Sequence, residues 1–259
     1  MTKVTIDRDG QLLLIGVNRP EANNLWDLDV IQTVSGAYKT LADDDELRVG
    51  VVYGHGKHFT AGLDLLSVAP LVASGAVDSI IPADGYDPWD FFGESCPKPI
   101  VVAAHGACNT LSIELIMAAQ IAVAAEDTRF AQLEVARGIV PLGGATFRLL
   151  SRLGPVGMRY LLTAERFDAQ EAYRLGLVSE IVPIGQQLDR AVELAKVVAG
   201  NAPIAVRTAL AAARAAERAA RDAAAKVVTD ARNAVMSSAD AMEGARAFVE
   251  RRTPVFKGE

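Results

Sequence analysis

The residues best suited to chemistry lie in one stretch of the chain, residues 97–144. A tight turn at 105–110 precedes a segment with helical spacing of apolar residues from Leu111, and the free N–H groups at such a helix start form the positive end of its dipole. An oxygen that gains negative charge during a reaction would be stabilised there. Two carboxylates follow, Glu114 in the first helical turn and Glu134 further along. The stretch therefore predicts a reaction centre.

A buried strand must lead into this turn. Pro99 is followed by an unbroken apolar run at 100–104, which has the length of a strand. After the turn, apolar residues recur at helical spacing from Leu111 through Val123, which predicts a helix over that span. The expected order is strand, turn and helix.

The N-terminal part predicts neighbouring strands of the same sheet. Residues 2–8 alternate apolar and polar side chains, Asp9-Gly10 is typical of a hairpin turn, and 11–17 supplies the return strand. An amphipathic helix over 25–41 then precedes a buried strand at 48–53. A strand, a helix and a strand in this order favour parallel pairing through a crossover.

The candidate residues also have purely structural interpretations. Glu114 could serve only the dipole of its helix, an effect worth roughly 0.3–1 kcal/mol. Glu134 could be a surface carboxylate at the end of a strand. The glycine-rich segment 54–65 is typical of a connector. We assign no chemistry to its histidines, His55 and His58, since no third metal ligand is apparent in the sequence.

Two further regions are distinguished by composition. Residues 67–96 form a Gly/Pro-rich segment with aromatic side chains, which either wall a pocket or pin the loop to the body, and the sequence leaves both open. From Gln186 onward the pattern is helical, with a natural helix start at Pro203 and an alanine-rich segment at 204–235. Such a helical tail is expected to pack on the body or on a neighbouring subunit.

Composition and charge exclude several classes of protein. The chain has 259 residues, of which 51% are hydrophobic, so it is long enough to bury a large core. The net charge is −6 and no basic block is present, so neither nucleic acid nor an anionic membrane is an expected partner. The sequence has no membrane-spanning run, no signal-peptide pattern and no metal-ligand spacing of its two cysteines. We therefore expect a soluble, cytoplasmic protein without a metal site.

Six segments, taken in order, resemble the enoyl-CoA hydratase/isomerase (crotonase) superfamily over nearly the whole chain. They are NRPEANN at 18–24, VVYGHGKHFTAGLDL at 51–65, PKPIVVAAHGA at 97–107, IELIMAAQIAVAAEDTRFAQLEVARGIVP at 113–141, LTAERFDAQEAYRLGLVSEIVP at 162–183 and ARAFVERRTPVFKG at 245–258. The resemblance implies an α/β fold, a crotonase (ClpP-like) spiral of ββα units at 1–195 that holds a CoA-thioester site. It also implies a C-terminal helical trimerisation region at 196–259, trimers often paired into hexamers, and an acyl-CoA substrate with no separate cofactor.

The resemblance also implies how the thioester is held. The backbone N–H groups of Leu63 and Leu111 would bind the thioester oxygen, with Leu63 placed by the motif Ala61-Gly62-Leu63-Asp64. Such donors face charge that develops only as the enolate forms, so losing one typically costs about 10²–10³ in rate.

The reacting groups implied by the family are the two glutamates. Glu134 would exchange the proton at the α-carbon, while Glu114 would hold and activate the water that attacks the β-carbon. Leu142 stands near the position of that water. Phe248 and Arg251 match the family's aromatic and basic residues that contact the CoA adenine and phosphate of a neighbouring subunit.

Two positions depart from the hydratase pattern. Thr110-Leu111-Ser112 stands where hydratases usually carry a glycine triplet, and Leu142 replaces a glycine. An aspartate at position 142 would indicate the dienoyl-CoA isomerase branch, so leucine argues against that branch. We predict an enoyl-CoA hydratase active in fatty acid metabolism. The alternatives are Δ3-Δ2-enoyl-CoA isomerisation, which needs no water, and acyl-CoA binding with little catalysis.

Overall fold

The computed structural model describes residues 2–65, 67, 68, 71 and 80–259, so part of the segment predicted at 67–96 lies outside the described residues. The strands are β1 (Val4–Asp9), β2 (Leu12–Val17), β3 (Val49–Gly54), β4 (Ile100–Ala104), β5 (Ala107–Asn109), β6 (Ile121–Ala125), β7 (Arg129–Ala131), β8 (Phe167–Asp168) and β9 (Glu180–Val182). The α-helices are α1 (Leu28–Asp43), α2 (Leu111–Ala118), α3 (Ala145–Thr163), α4 (Ala169–Arg174), α5 (Gln187–Ala199), α6 (Pro203–Met236) and α7 (Ala239–Glu250). Short 3-10 helices cover Pro20–Ala22 and Val135–Arg137.

The larger sheet has the strand order β1-β2-β3-β4-β6-β9. The predicted hairpin is confirmed, since β1 pairs antiparallel with β2 from Val4 opposite Val17 to Asp9 opposite Leu12. The predicted crossover is confirmed as well, because β2 and β3 are parallel and α1 connects them. The remaining pairs in this sheet are also parallel. Parallel strands covered on both faces are buried, which explains their continuous apolar runs.

A second, smaller sheet with the order β5-β7-β8 lies next to the first. The chain passes from β4 into β5 through Gly106, whose positive φ of 56° and close approach to the Lys57 carbonyl leave no room for a side chain. Strands β4 and β5 are followed by α2, and β6 and β7 repeat the same two-strand arrangement. These are the ββα units that the family resemblance implies.

The predicted helix from Leu111 through Val123 is wrong in its second half. Helix α2 ends at Ala118, and Val123 lies in the middle of β6, paired with Ala103 and Glu180. Helix α2 is buried along its whole length, and β6 lies between two parallel strands. An apolar run that is buried on every side has no periodicity by which a helix can be distinguished from a strand.

Of the helices after β9, α5 packs on the larger sheet and α6 contributes to the cavity described below. Helix α5 places Ala191, Ala195 and Ala199 against the larger sheet, so the predicted boundary between 195 and 196 falls inside a helix that packs on the core. Helix α6 begins at Pro203, as predicted. Across the described ranges, no helix is both long and apolar enough to cross a membrane.

Candidate active site

A cavity of about 260 Å³ lies between α2, the turn before α3, and the C-terminal end of α6. Its walls are mostly apolar, and four ionisable side chains contribute to them: Asp87, Glu114, Glu134 and Arg137. The described part of segment 67–96 supplies Val68, Ile80, Ile81, Trp89 and Phe92 to the wall. These residues therefore line a pocket, which was one of the two roles that the sequence left open.

One end of the cavity is built by two extended segments that run parallel to each other. Thr60 lies opposite Cys108, because its N–H donates to the Ala107 carbonyl and its carbonyl accepts from the Asn109 N–H, and this pairing brings Gly62 against Thr110. A Cβ atom on Gly62 would stand 2.5 Å from the Thr110 hydroxyl oxygen, and the φ of Gly62 is +119°. This glycine is needed because only a residue without a side chain fits both the space and the backbone conformation.

The two backbone donors predicted to bind the thioester oxygen belong to residues that line this end of the cavity. The strand-like contact beside Leu63 uses the N–H groups of Trp26 and Asp64 and leaves that of Leu63 out. Leu111 is the first residue of α2, where an N–H has no acceptor within its own helix. Within the part of the chain that the structure describes, neither N–H group donates a hydrogen bond. Two unused donors at one end of a buried cavity suit an oxygen that acquires negative charge.

Thr110 has a backbone conformation usually found in glycine, although the glycine triplet is absent. Its backbone has φ 55° and ψ −112°, a region that β-branched residues rarely occupy. Backbone strain of this kind costs on the order of 1–3 kcal/mol and persists only where surrounding contacts enforce it. Here the Thr110 N–H donates to the Ala131 carbonyl at 2.8 Å, which ties the residue to β7. The chain thus adopts a glycine-like backbone at Thr110, directly before the Leu111 donor.

Glu114 is held by the backbone of the turn before α3. Its side chain is 3% exposed, and Oε1 accepts hydrogen bonds from the N–H groups of Gly143 at 2.8 Å and Ala145 at 3.0 Å. No described residue donates to Oε2. Gly143 leaves space for this carboxylate, since a Cβ there would stand 2.6 Å from Oε2. The hydrogen bonds of Glu114 therefore go to another element, which a residue serving only its own helix dipole would not require.

Glu134 is also buried, so the interpretation of it as a surface carboxylate is wrong. It is 8% exposed and directly precedes the 3-10 helix Val135–Arg137. Its Oε2 accepts a hydrogen bond from Gln132 Nε2 at 3.1 Å, and the backbone N–H of Glu134 itself also stabilises the carboxylate. Glu114 thus has one oxygen that is fixed by two backbone donors, whereas Glu134 is held by one side chain and by its own main chain.

Burial and mutual repulsion govern the protonation of this pair. Burial raises the pKa of both carboxyls above their ordinary value, and the charge of Glu114 raises the pKa of Glu134 further. The N–H groups of Gly143 and Ala145 act in the opposite direction and favour the charged form of Glu114. Two carboxyls in one buried site do not ionise together readily, so the pair retains a proton near neutral pH. The two backbone bonds to Glu114 favour the arrangement in which Glu114 is the charged member of the pair.

The other predicted site residues occupy different positions around the cavity. Leu142 lines it, next to Gly143. Gly62 and its neighbour Ala61 lie outside the cavity lining, and the Ala61 N–H donates to the Asn23 carbonyl. The Asp64 carboxylate forms an ion pair with Arg19, with Oδ2 3.5 Å from Nη1. These last three residues shape the backbone at Leu63 and do not line the cavity.

Phe248 and Arg251 lie on the C-terminal side of the molecule, outside the lining of this chain's cavity. Phe248 is 65% exposed on α7, and Arg251 is exposed directly after that helix. Their predicted contact with the CoA of a neighbouring subunit concerns a second chain and stays a prediction, as does the trimer or hexamer itself.

Several residues that shape the site carry no pattern that singles them out in the sequence. The Asp87 carboxylate accepts four backbone hydrogen bonds, which fold the loop that carries the pocket residues Trp89 and Phe92: the donors are Trp89, Phe91, Phe92 and Gly93. Arg148 is 1% exposed and donates to the carbonyls of Trp89, Gly143 and Asp90. It therefore joins that loop to the turn that holds Glu114. An arginine on an amphipathic helix gives no sign of such burial, whereas Gln132 could have been noticed for its position two residues before Glu134.

His58 and His55 make structural hydrogen bonds. His58 Nδ1 accepts a hydrogen bond from the Ala107 N–H at 3.0 Å, and His55 Nε2 lies 2.9 Å from the Thr5 hydroxyl. Over the described ranges, no group of three or more His, Cys, Asp and Glu side chains is arranged to hold a metal ion.

Comparison with known proteins places this geometry in a family. The family model described as enoyl-CoA hydratase/isomerase matches residues 7–259. Enoyl-CoA hydratase EchA19 of Mycobacterium tuberculosis is 30% identical over 262 residues, which span 97% of this chain and 95% of the relative. Carnitinyl-CoA dehydratase of Salmonella paratyphi A is 32% identical, with 98% of this chain and 97% of the relative covered.

Solved structures agree with the sequence matches. The crystal structure of a probable enoyl-CoA hydratase/isomerase from Mycobacterium abscessus has 43% sequence identity and a TM-score of 0.80, with 99% of each chain covered. The structure of a carnitinyl-CoA dehydratase from Mycobacterium avium 104 has 32% identity and a TM-score of 0.84, with 100% of each chain covered. The predicted crotonase fold with a C-terminal helical region is thereby confirmed, and the chain belongs to the enoyl-CoA hydratase/isomerase family.

Proposed function

We propose that this protein is an enoyl-CoA hydratase that adds water across the double bond of a trans-2-enoyl-CoA. The observation that carries the proposal is the buried pair Glu114 and Glu134, which shares one cavity with the two unused N–H groups of Leu63 and Leu111. The names of the relatives, a hydratase and a dehydratase, support a lyase that adds or removes water. Because those names differ in the acyl group, they leave the substrate open.

In this proposal the thioester oxygen accepts hydrogen bonds from the N–H groups of Leu63 and Leu111. When a nucleophile adds to the β-carbon, negative charge moves onto that oxygen as the enolate forms. Fixed donors stabilise this charge without reorganisation, and each contributes about 10²–10³ in rate. The reaction therefore begins with a thioester whose carbonyl is already polarised toward addition.

The proton transfers follow from the protonation state of the pair. The carboxylate of Glu114 takes a proton from water through its unused Oε2, and the water oxygen forms a bond to the β-carbon. The carboxylic acid of Glu134 gives its proton to the α-carbon, where the electron pair of the former double bond accepts it. The pair holds one proton before and after the addition, so no net charge enters the buried site.

The direct test follows loss of the conjugated-enoyl absorbance of crotonyl-CoA and of a longer trans-2-enoyl-CoA. The native protein is expected to turn over at least one of them. Glu134→Gln should lose about 10²–10⁴ in kcat, the usual contribution of a positioned acid or base. Absence of turnover with every chain length would contradict the proposal, even if the thioesters bind.

Leu142 supports a second candidate, Δ3-Δ2 isomerisation. Its apolar side chain lines the cavity next to Gly143, which contacts Glu114, so it competes for the space of the water. Isomerisation needs one base to move a proton between two carbons and needs no water. Glu114→Gln separates the two reactions: hydration should fall by the same 10²–10⁴, whereas isomerisation by Glu134 alone should largely survive.

A further inference from the structure

Arg137 is a cation on the cavity wall that interacts electrostatically with Glu134 but forms no ion pair with it. It lines the cavity, and its guanidinium forms neither an ion pair nor a side-chain hydrogen bond with any described residue. Its recorded contact is with the ring of Phe248, whose centroid lies 4.9 Å from Cζ. Burial lowers the pKa of this guanidinium, which reflects the cost of removing its charge from water. Charges that lose contact with water are ordinarily paired, so a partly buried guanidinium that lines a ligand cavity without an ion pair points to an anionic ligand.

The backbone places Arg137 beside the reacting end of the ligand. Glu134 directly precedes the 3-10 helix that ends at Arg137, and the Arg137 N–H donates to the Glu134 carbonyl at 2.9 Å. Side chains three residues apart eclipse each other in a 3-10 helix and are separated by about 6 Å along its axis. The two side chains therefore extend from the same face of one turn, and both line the cavity.

This position decides which part of an acyl-CoA the guanidinium meets. The phosphates of CoA are separated from the thioester by the whole pantetheine arm, whereas Glu134 addresses the carbon next to the thioester. A group one turn from Glu134 is therefore closer to the acyl chain than to the phosphates. We propose that Arg137 binds a carboxylate carried by the acyl chain, so that the preferred substrate is a 2-enoyl-CoA with a second, anionic end. The inference rests on the proposed function, in which the cavity accepts an acyl-CoA.

A purely electrostatic role toward Glu134 makes a different prediction. If Arg137 only favoured the charged form of that carboxylate, its loss would affect every acyl-CoA in the same way. Binding of a distal carboxylate, in contrast, requires a preference that depends on the charge of the acyl group. A matched pair of ligands with equal chain length separates the two roles.

The test compares binding of hexanoyl-CoA and adipoyl-CoA by titration calorimetry. Both are saturated and unreactive, they have the same number of acyl carbons, and they differ in the terminal carboxylate. The native protein should bind adipoyl-CoA about 10–100-fold more tightly, the size expected for a charge-assisted hydrogen bond. Arg137→Leu should reduce the ratio of the two affinities to about one, mainly through weaker binding of adipoyl-CoA, and Arg137→Lys, which keeps the charge, should retain part of the preference.

Arg166→Gln is the matched control. Arg166 is exposed, does not line the cavity, and lies near enough to Arg137 to lower its pKa. This variant removes one nearby positive charge and should leave the preference for adipoyl-CoA intact. Circular dichroism of each variant establishes that it is folded before binding is compared.

Two results would overturn the inference while the proposed function survives. One is equal binding of the two esters by the native protein. The other is an equal loss of both in Arg137→Leu, which would assign the anion to the CoA phosphates or the effect to Glu134. If the native protein binds neither ester, the proposed function fails and this inference fails with it.

Discussion

Glu114 and Glu134 are held in place by different kinds of hydrogen-bond donor. Glu114 extends from a fully buried helix, and the main chain of the turn 143–145 holds it through two N–H groups. Glu134 precedes a single 3-10 turn, and the side chain of Gln132 holds it. The difference fits the division of labour in the proposed mechanism, in which the carboxylate held by two N–H groups holds water and the less constrained one carries the proton.

The turn that holds Glu114 and the turn after Glu134 also pack against different parts of the molecule. Arg148 donates to carbonyls of both the turn that holds Glu114 and the loop at 89–90, so a buried side chain fixes the position of that turn. The turn after Glu134 packs instead on α7, where Gly138 contacts Asp240 and Gly244 contacts the Arg137 carbonyl. The position of Glu134 therefore depends on the C-terminal helices, and the two sides can be disturbed separately.

The largest effect on stability is expected from Arg148→Met, which removes the hydrogen bonds that join the turn holding Glu114 to the loop at 89–90. It leaves three carbonyls, two of them in buried hydrogen bonds, without this donor and takes one cation away from Asp90. Breaking a buried charged network typically costs 3–5 kcal/mol, so we expect a loss of about 3–5 kcal/mol in the free energy of unfolding, measured by urea titration. Arg159→Met is the control, because its ion pair with Glu165 is exposed and should contribute less than about 1 kcal/mol. Equal losses of unfolding free energy in the two variants would contradict the conclusion that Arg148 fixes this turn.

The next effect concerns activity alone. Gly143→Ala would place a Cβ 2.6 Å from Glu114 Oε2, and the flexible carboxylate would move in response. Since a displacement of about 1 Å in a catalytic group can reduce the rate 10²-fold, kcat for hydration should fall by about that factor with little loss of stability. Gly36→Ala, on an exposed helix face with nothing within 4 Å of the new Cβ, should leave kcat unchanged. An unaltered kcat in Gly143→Ala would show that Glu114 does not need this position.

A corresponding change disturbs the Glu134 side. Gly244→Ala would bring a Cβ into the backbone of Arg137, so α7 and the 3-10 turn must separate. Overpacking of this kind costs about 1–3 kcal/mol, and we expect activity to fall together with thermal stability. Gly200→Ala, whose new Cβ would have no neighbour closer than 3.5 Å, is the matched control. A destabilised variant with full activity would mean that Glu134 does not depend on α7.

The smallest effect is a stability difference that depends on pH. The folded-state pKa of Glu134 is raised above its ordinary value of 4.5, so the protonated form stabilises the fold below about pH 4.5 and that contribution is lost as pH rises through the raised pKa. Glu134→Gln has no proton to lose there. Its melting temperature should therefore match the native value in acid and exceed it at alkaline pH. A constant difference across this range would contradict a raised pKa.

The sequence predicted the positions that are defined by local pattern. The hairpin at Asp9-Gly10, the crossover through α1 and the start of α6 at Pro203 all follow from turn chemistry and helix capping, and the structure agrees. The end of α2 was missed because a helix and a strand that are buried on all sides have the same apolar composition. Asp87 and Arg148 were missed for a different reason, since their partners are backbone groups that only the tertiary fold brings together. The cavity position of Arg137 likewise becomes visible only when the 3-10 turn is formed.

The division of labour between the two glutamates is tested most directly by hydrogen exchange at the α-carbon. A 3-hydroxyacyl-CoA is incubated in D₂O with the native protein, Glu114→Gln and Glu134→Gln, and deuterium at C2 is measured by NMR. The account predicts exchange with the native protein, exchange that survives in Glu114→Gln although hydration is lost, and no exchange in Glu134→Gln. Exchange that persists in Glu134→Gln would contradict the role of Glu134 as the residue that moves the α-proton.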